Sequence, residues 1–212
     1  MKRLSQAILF SVLALGLACG GDDGGGVDEA PPLDPNGTPT NFVVASIDVP
    51  TSGSEADATG LDIDGDGNVD NQLGDIFATV GSLSPAIDLQ GSVDTSVANG
   101  ASIVLVTVQA TSLSASTGAG LFFYLGDNPS NPPCSGPDDT ICGGHLDGAT
   151  SFDIAANSPT DALVTGNIAG GRFTGGPGSI TLEVTVAEGT DPLRLNLIGA
   201  RADVRVSESG LM

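Results

Sequence analysis

Tryptophan is missing from this sequence, tyrosine and histidine occur once each, and only 4% of residues are aromatic. So few flat side chains leave little for a cleft that stacks sugar rings, although carboxylate pairs of the kind glycosidases use are plentiful in so acidic a chain. A Ser-His-Asp triad would have to use His145, and no Gly-x-Ser-x-Gly elbow accompanies it. Gly176-Pro177-Gly178-Ser179-Ile180 has the wrong order. His145 with Asp147 reads as an ordinary surface pair on a loop. Positive charge is the second shortage: six Lys+Arg stand against 26 Asp+Glu. Without Lys2 and Arg3, which sit in an export-type leader, the chain keeps only Arg172, Arg194, Arg201 and Arg205 and a formal charge of −22. Such a surface repels phosphate backbones, which argues against nucleic acid, and it disfavours anionic lipid surfaces. Divalent cations would relieve the repulsion. The glycine run Gly170 to Gly178 lacks a Gly-Lys-Ser/Thr ending and precedes a strand, so it is expected to be a hairpin turn rather than a phosphate cradle.

What is present is apolar and turn-rich. Hydrophobic residues make up 40% of the chain, enough to bury a core, and 31 glycines punctuate it. Many short strands fit this better than helices do. The expected fold is mainly β, a β-sandwich or barrel-like antiparallel domain. Strands are expected at Phe42–Val49, Ile103–Val108, Gly120–Leu125, Thr150–Ala155, Leu163–Ala169, Ser179–Ala187 and Leu193–Ser207, the last with a bend or break at Gly199. No tandem repeat is found. The sequence stops soon after a strong strand, which leaves open a further element beyond Met212.

The N-terminus predicts export. Lys2 and Arg3 precede the apolar run Ile8 to Leu17, which is too short to span a bilayer comfortably. The junction Leu15-Gly16-Leu17-Ala18-Cys19 resembles a bacterial lipobox, in which the cysteine is lipidated and becomes the mature N-terminus. Gly16 departs from the large aliphatic residue usual there, and simple cleavage near Ala18 is the alternative. Gly20 after the cysteine resembles lipoproteins sent to the outer membrane of Gram-negative cells. Residues 1–18 are thus read as a lipoprotein signal peptide and 19–40 as a glycine-, aspartate- and proline-rich tether. Residues 41–212 are read as the β-rich domain.

One stretch carries specific chemistry: Leu61-Asp62-Ile63-Asp64-Gly65-Asp66-Gly67-Asn68-Val69-Asp70-Asn71. Six carboxylates fall between Asp57 and Asp75, and like charges so close are costly unless something neutralises them. Calcium takes about six to eight oxygens, and alternating carboxylates around glycines can supply them from a single loop. The segment 62–73 resembles the loops of EF-hands, dockerin modules and thrombospondin type 3 repeats. The resemblance implies Ca2+ ligation by Asp62, Asp64, Asp66, Asn68 (through its carbonyl) and Asp70, with Gly67 at the sharp turn. It departs at the twelfth position, where Leu73 stands in place of an acid. Glu55, Asp57, Asp75 or water are the candidates to complete the shell. Magnesium, which demands tighter octahedral geometry, fits less well. The bland alternative is a solvated acidic turn at a helix start.

After the loop, Val69, Leu73, Ile76, Phe77 and Val80 fall on one helical face, with Asp70 or Asn71 as N-cap and Gly81 as stop. One or two short helices are therefore expected after the loop, and none before it, since 51–60 reads as a polar loop. Cys134 and Cys142 are expected to form a disulfide, as nearby cysteines in exported proteins do. The sharper alternative, a metal site of Cys134, Cys142 and His145, lacks a fourth ligand and the Cys-x2-Cys spacing.

Taken together, signal and loop resemble envelope lipoproteins of the myxobacterial type. That resemblance implies a location, the outer membrane through a lipid on Cys19, and not a role. The expected function is non-catalytic structural calcium binding. The alternatives are a calcium-dependent carbohydrate- or protein-binding module and, third, a secreted hydrolase.

Overall fold

The computed structural model describes residues 9–10, 14–15, 30–63, 66–83, 88–136, 138–184 and 193–212. Most of the leader, and the tether as far as residue 29 with Cys19, lie outside them. Two dipeptides of the leader are described. Leu9–Phe10 (β1) lies parallel to Ser46–Ile47, and Ala14–Leu15 (β2) lies antiparallel to Ala200 and Arg201.

The ordered domain begins earlier than the expected Asn41. Thr38–Val43 (β3) pairs with Val104–Ala110 (β5) from its first residue. Before it, the Asp34 N–H donates to the Gly118 carbonyl at 2.8 Å. Pro39, read as tether, is tolerated in β3 because that strand ends the main sheet order and one row of its N–H groups needs no partner. Ser46–Ile47 (β4) follows. Then come the helices Gly53–Thr59 (α1), Gln72–Leu83 (α2) and Leu89–Ala98 (α3).

The remaining strands are β5, Ala115–Asp127 (β6), Asp153–Ile154 (β7), Leu163–Ala169 (β8), Arg172–Val184 (β9), Leu193–Ser207 (β10) and Gly210–Leu211 (β11). They form one antiparallel sheet in the order β11-β10-β9-β8-β6-β5-β3, with β2 on β10 and β7 on β6. The sheet curls into a nearly closed, barrel-like shape. No helix among the described residues is long and apolar enough to cross a membrane.

Alternation along the strands builds the interior. Val104, Val106, Val108 and Ala110 of β5 point inward between half-buried neighbours. Leu121, Val164 and Phe173 are completely buried beside them. Each large side chain so buried contributes about 1.5–3 kcal/mol. Leu73, Phe77, Leu89 and Val93 join this core from α2 and α3. Leu193–Ser207 is one strand, with a register shift at Gly199, whose φ is +79°. The glycine run after β8 is not all turn. Gly170 and Gly171, both at positive φ, make the turn, and residues from Arg172 onward are strand.

The closest approach between β8 and β9 rests on a glycine pair. Gly166 of β8 faces Gly175 of β9 directly. A Cβ on Gly166 would lie 2.2 Å from the Thr174 carbonyl oxygen, and one on Gly175 would lie 2.5 Å from that of Thr165. These neighbours are backbone and cannot swing away, so two missing side chains let the strands approach closely here. Gly166→Ala is therefore expected to cost about 2–3 kcal/mol in urea unfolding, the upper part of the overpacking range. Gly53→Ala, where a Cβ meets nothing within 4 Å, should leave stability unchanged or raise it by up to about 1 kcal/mol.

Candidate metal centre

The acidic stretch lies between two helices, not one. Residues 51–60, read from sequence as a polar loop, contain α1. Its start has the reciprocal logic of a capping box. The Ser52 hydroxyl accepts the Glu55 N–H at 3.3 Å, and the Glu55 carboxylate reaches back to the Thr51 N–H at 2.7 Å and the Thr51 hydroxyl at 2.8 Å. Those bonds, the backbone one first, hold the Glu55 carboxyl below its ordinary pKa. One oxygen of Glu55 thus serves the start of its own helix. Ala56 is fully buried and turns α1 inward.

Asn71 joins the two helices. It is 3% exposed. Its Nδ2 donates to the Ala56 carbonyl of α1 at 2.8 Å, and its Oδ1 accepts the Gly74 N–H at 2.9 Å, which caps α2. One buried amide therefore satisfies a carbonyl of the entering helix and an orphan donor of the exiting one. The loop between them folds on its own carboxylates. The Asp70 N–H donates to the Leu61 carbonyl at 2.8 Å, closing a short antiparallel bridge. The Ile63 N–H donates to Asp70 Oδ2 at 2.8 Å and the Gly67 N–H to Asp62 Oδ2 at 3.0 Å. Gly67 has φ +89°, the left-handed turn that the loop pattern requires there. Asn68 donates to Asp66 from its backbone at 2.7 Å and from its side chain at 2.9 Å.

The structure therefore ties Asp62 to Gly67, Asp66 to Asn68 and Asp70 to Ile63. These pairings are what the described residues show of the expected ligands. Among the described residues no three Asp, Glu, His or Cys side chains are grouped as a metal site. Asp64 and Gly65, the centre of the pattern, lie outside the described residues. The donor set is hard oxygen throughout, the chemistry that suits calcium. Leu73, at the twelfth position, is 7% exposed and belongs to the core. Asp75 is exposed and lines a cleft with Thr51, Ser52 and Gly53, the first residues around α1, rather than the loop. Asp57 is exposed on α1.

The helix face differs from the expected one. Leu73 and Phe77 are buried, but Val69 and Ile76 are 40% and 59% exposed. The Val80 side chain is outside those described. Gly81 does not stop the helix, which runs to Leu83.

The second cluster is the segment between β6 and β7. Cys134 and Cys142 form a disulfide with a Cα–Cα distance of 4.4 Å, so the alternative metal site of Cys134, Cys142 and His145 has lost two of its ligands. A loop this short gains about 2–3 kcal/mol from its crosslink. Asp139 accepts the Ser135 and Ile141 N–H groups, and Asp147 accepts those of Ala149 and Thr150. Both carboxyls are held below their ordinary pKa by these bonds. His145 is not on the surface. It is fully buried, with Phe152 edge-on at 6.4 Å, and neither ring nitrogen has a hydrogen-bond partner. Desolvation pushes its pKa below the ordinary value. The Val97 carbonyl nearby opposes this, without completing a bond of good geometry. Asp147 is turned to Asn131 and Thr150, not to His145.

No family model matches the chain, no curated protein matches it, and no solved structure matches its fold.

Two outcomes follow from these placements. Asn71→Ala should cost about 2–3 kcal/mol in urea unfolding, from a lost cap plus an unsatisfied carbonyl. Asn71→Asp, which keeps an acceptor for Gly74 but cannot donate to Ala56, should fall between the two. For His145, the folded state resists protonation more than the unfolded chain does. Its contribution is therefore complete above the unfolded pKa of about 6.5 and is lost as pH falls below it, by at most about 1.4 kcal/mol per unit. Thermal melts of wild type and His145→Leu from pH 7.5 down to 5 should diverge in that sense, with the wild type losing more. Parallel curves would show that the histidine has no part in it.

Proposed function

We propose that the loop from Asp62 to Asp70 binds a calcium ion, and that the ion serves a structural, non-catalytic role in an envelope lipoprotein. The observation that carries this reading is the left-handed turn at Gly67, with its N–H on the Asp62 carboxylate, inside a loop bounded by two helices. That arrangement turns the chain back at a glycine, with one carboxylate on its N–H, between helices fixed to each other by Asn71. A bound cation would offset the repulsion among Asp62, Asp64, Asp66 and Asp70. Ligation by Asp62, Asp64, Asp66, Asp70 and the Asn68 carbonyl, completed by water where Leu73 stands, would give the weak affinity usual of extracellular modules, with Kd of order 10⁻⁴–10⁻³ M.

Export and anchoring at Cys19 rest on the basic start, the short apolar run and the small residue before the cysteine. The outer membrane is the destination that Gly20 favours. A binding-module reading has one observation of its own. Ile141 is 86% exposed on the disulfide-closed loop, where a rigid aliphatic tip suits a protein or carbohydrate partner.

At ten times Kd, calcium should stabilise the fold by about 1.4 kcal/mol. For a domain of this size that raises the melting temperature by roughly 3–6 °C. The same calcium addition should leave Asp62→Ala and Asp66→Ala unmoved. A wild-type melting temperature that is equal in millimolar calcium and in EDTA would sink the proposal.

A further inference from the structure

All four arginines of the domain lie on two neighbouring strands. Arg172 is on β9, and Arg194, Arg201 and Arg205 are on β10. Burial alternates along β10 and changes phase at Gly199, so Arg194, Ile198, Arg201 and Arg205 all turn away from the core, whose inward residues are Leu197, Ala200, Ala202, Val204 and Val206. Arg172 and Arg205 are direct cross-strand partners. Like charges facing each other cost stability, and Asp203 relieves only one of them through its paired bonds to Arg172. Arg194, Arg201 and Arg205 make no ion pair among the described residues. Ile198, in the same row, is 70% exposed. A chain with 26 acids thus gathers its cations on one sheet face around an uncovered aliphatic side chain, where they outnumber the two acids in the same rows, Asp203 and Glu183, the latter facing Arg194.

The opposite surface is also present. α1 and α2 carry Asp57 and Asp75, both exposed, beside the acidic loop. Val69 and Ile76 remain exposed there although helical periodicity would bury them. Acids around exposed aliphatics on one side match arginines around an exposed aliphatic on the other.

We propose that the β9–β10 outer face docks the α1–loop–α2 surface of a second copy of this chain, head to tail. The contact is heterologous, so each copy keeps one free end of each kind, and association continues into chains unless the rotation closes a ring. Salt acts on it in two opposite ways. At about 0.01 M the Debye length is ~30 Å, and the net negative charges of whole copies repel. Near 0.1 M it is ~10 Å, which screens that repulsion but leaves contact pairs intact. Near 1 M, at ~3 Å, the pairs are screened as well.

Sedimentation velocity of the purified chain in EDTA tests this without reference to calcium, because Asp57 and Asp75 are not the loop's own ligands. The sedimentation coefficient should rise with concentration, most steeply near 0.1 M salt. R201A/R205A alone and D57N/D75N alone should each stay monomeric, with unchanged circular dichroism. Mixed in equal amounts they should form a 1:1 complex that grows no further, because only one contact between them is intact. Three results would overturn the proposal: a wild type that is monomeric up to roughly millimolar concentration, variants that associate as the wild type does, or a mixture that stays monomeric while the wild type associates. Monomers that bind anionic vesicles through the same arginines would assign the face to a membrane instead, and would overturn it equally.

Discussion

A single buried amide holds the candidate centre in place. Asn71 gives its N–H to α1 and its oxygen to α2, so the acidic loop begins and ends at points fixed to each other. With its ends fixed, the loop can close its short bridge between Leu61 and Asp70 and make its left-handed turn at Gly67. Without that constraint the carboxylates would spread apart, since their mutual repulsion favours an extended chain. The same residue sets the inward face of α2, and with it the places of Leu73 and Phe77 in the core. Ordering the loop and filling the barrel end are therefore linked. An ion that stabilises the loop would stabilise the whole domain.

The barrel itself follows from shape rather than charge. Alternating Val, Leu and Phe side chains supply the interior. Gly166 and Gly175 let β8 and β9 approach closely. Positive charge is then concentrated on β9 and β10, while exposed acids, those of α1 and α2 among them, cover much of the rest. The exposed aliphatics Val69, Ile76 and Ile198 sit within those two regions.

Much of this was legible in the sequence. The mainly β, barrel-like class followed from short apolar runs between turn residues. Leu163–Ala169 and Leu193–Ser207 were read with their observed bounds, because clean alternation marks such strands. Cys134–Cys142 was legible from spacing. What failed was where one residue type serves two geometries. Ser, Glu and Thr in 51–60 read as loop, yet Ser52 and Glu55 are a capping pair, a signal present in the sequence and outweighed by the polarity around it. Gly170 to Gly178 read as turn, whereas only the first two glycines turn and Gly175 is there for close packing. Val69 and Ile76 fit a helical face but stay exposed, which periodicity alone cannot anticipate. His145 read as a surface residue because nothing local indicates that Phe152 and the end of α3 cover it. Asn71 was legible as a cap but not as the clasp, since its second partner, Ala56, lies fifteen residues away.

Calcium binding at the loop held by Asn71, as proposed, can be read at a single amide. The Gly67 amide reports on it most directly, because its N–H lies on the Asp62 carboxylate, a proposed ligand. In an NMR titration with calcium, the Gly67 and Ile63 amide signals are predicted to move saturably with one shared dissociation constant, of order 10⁻⁴–10⁻³ M, while Gly166 and Gly175 in the barrel stay put. Signals at Gly67 and Ile63 that do not move, or that drift linearly without saturation through the millimolar range, would contradict the account.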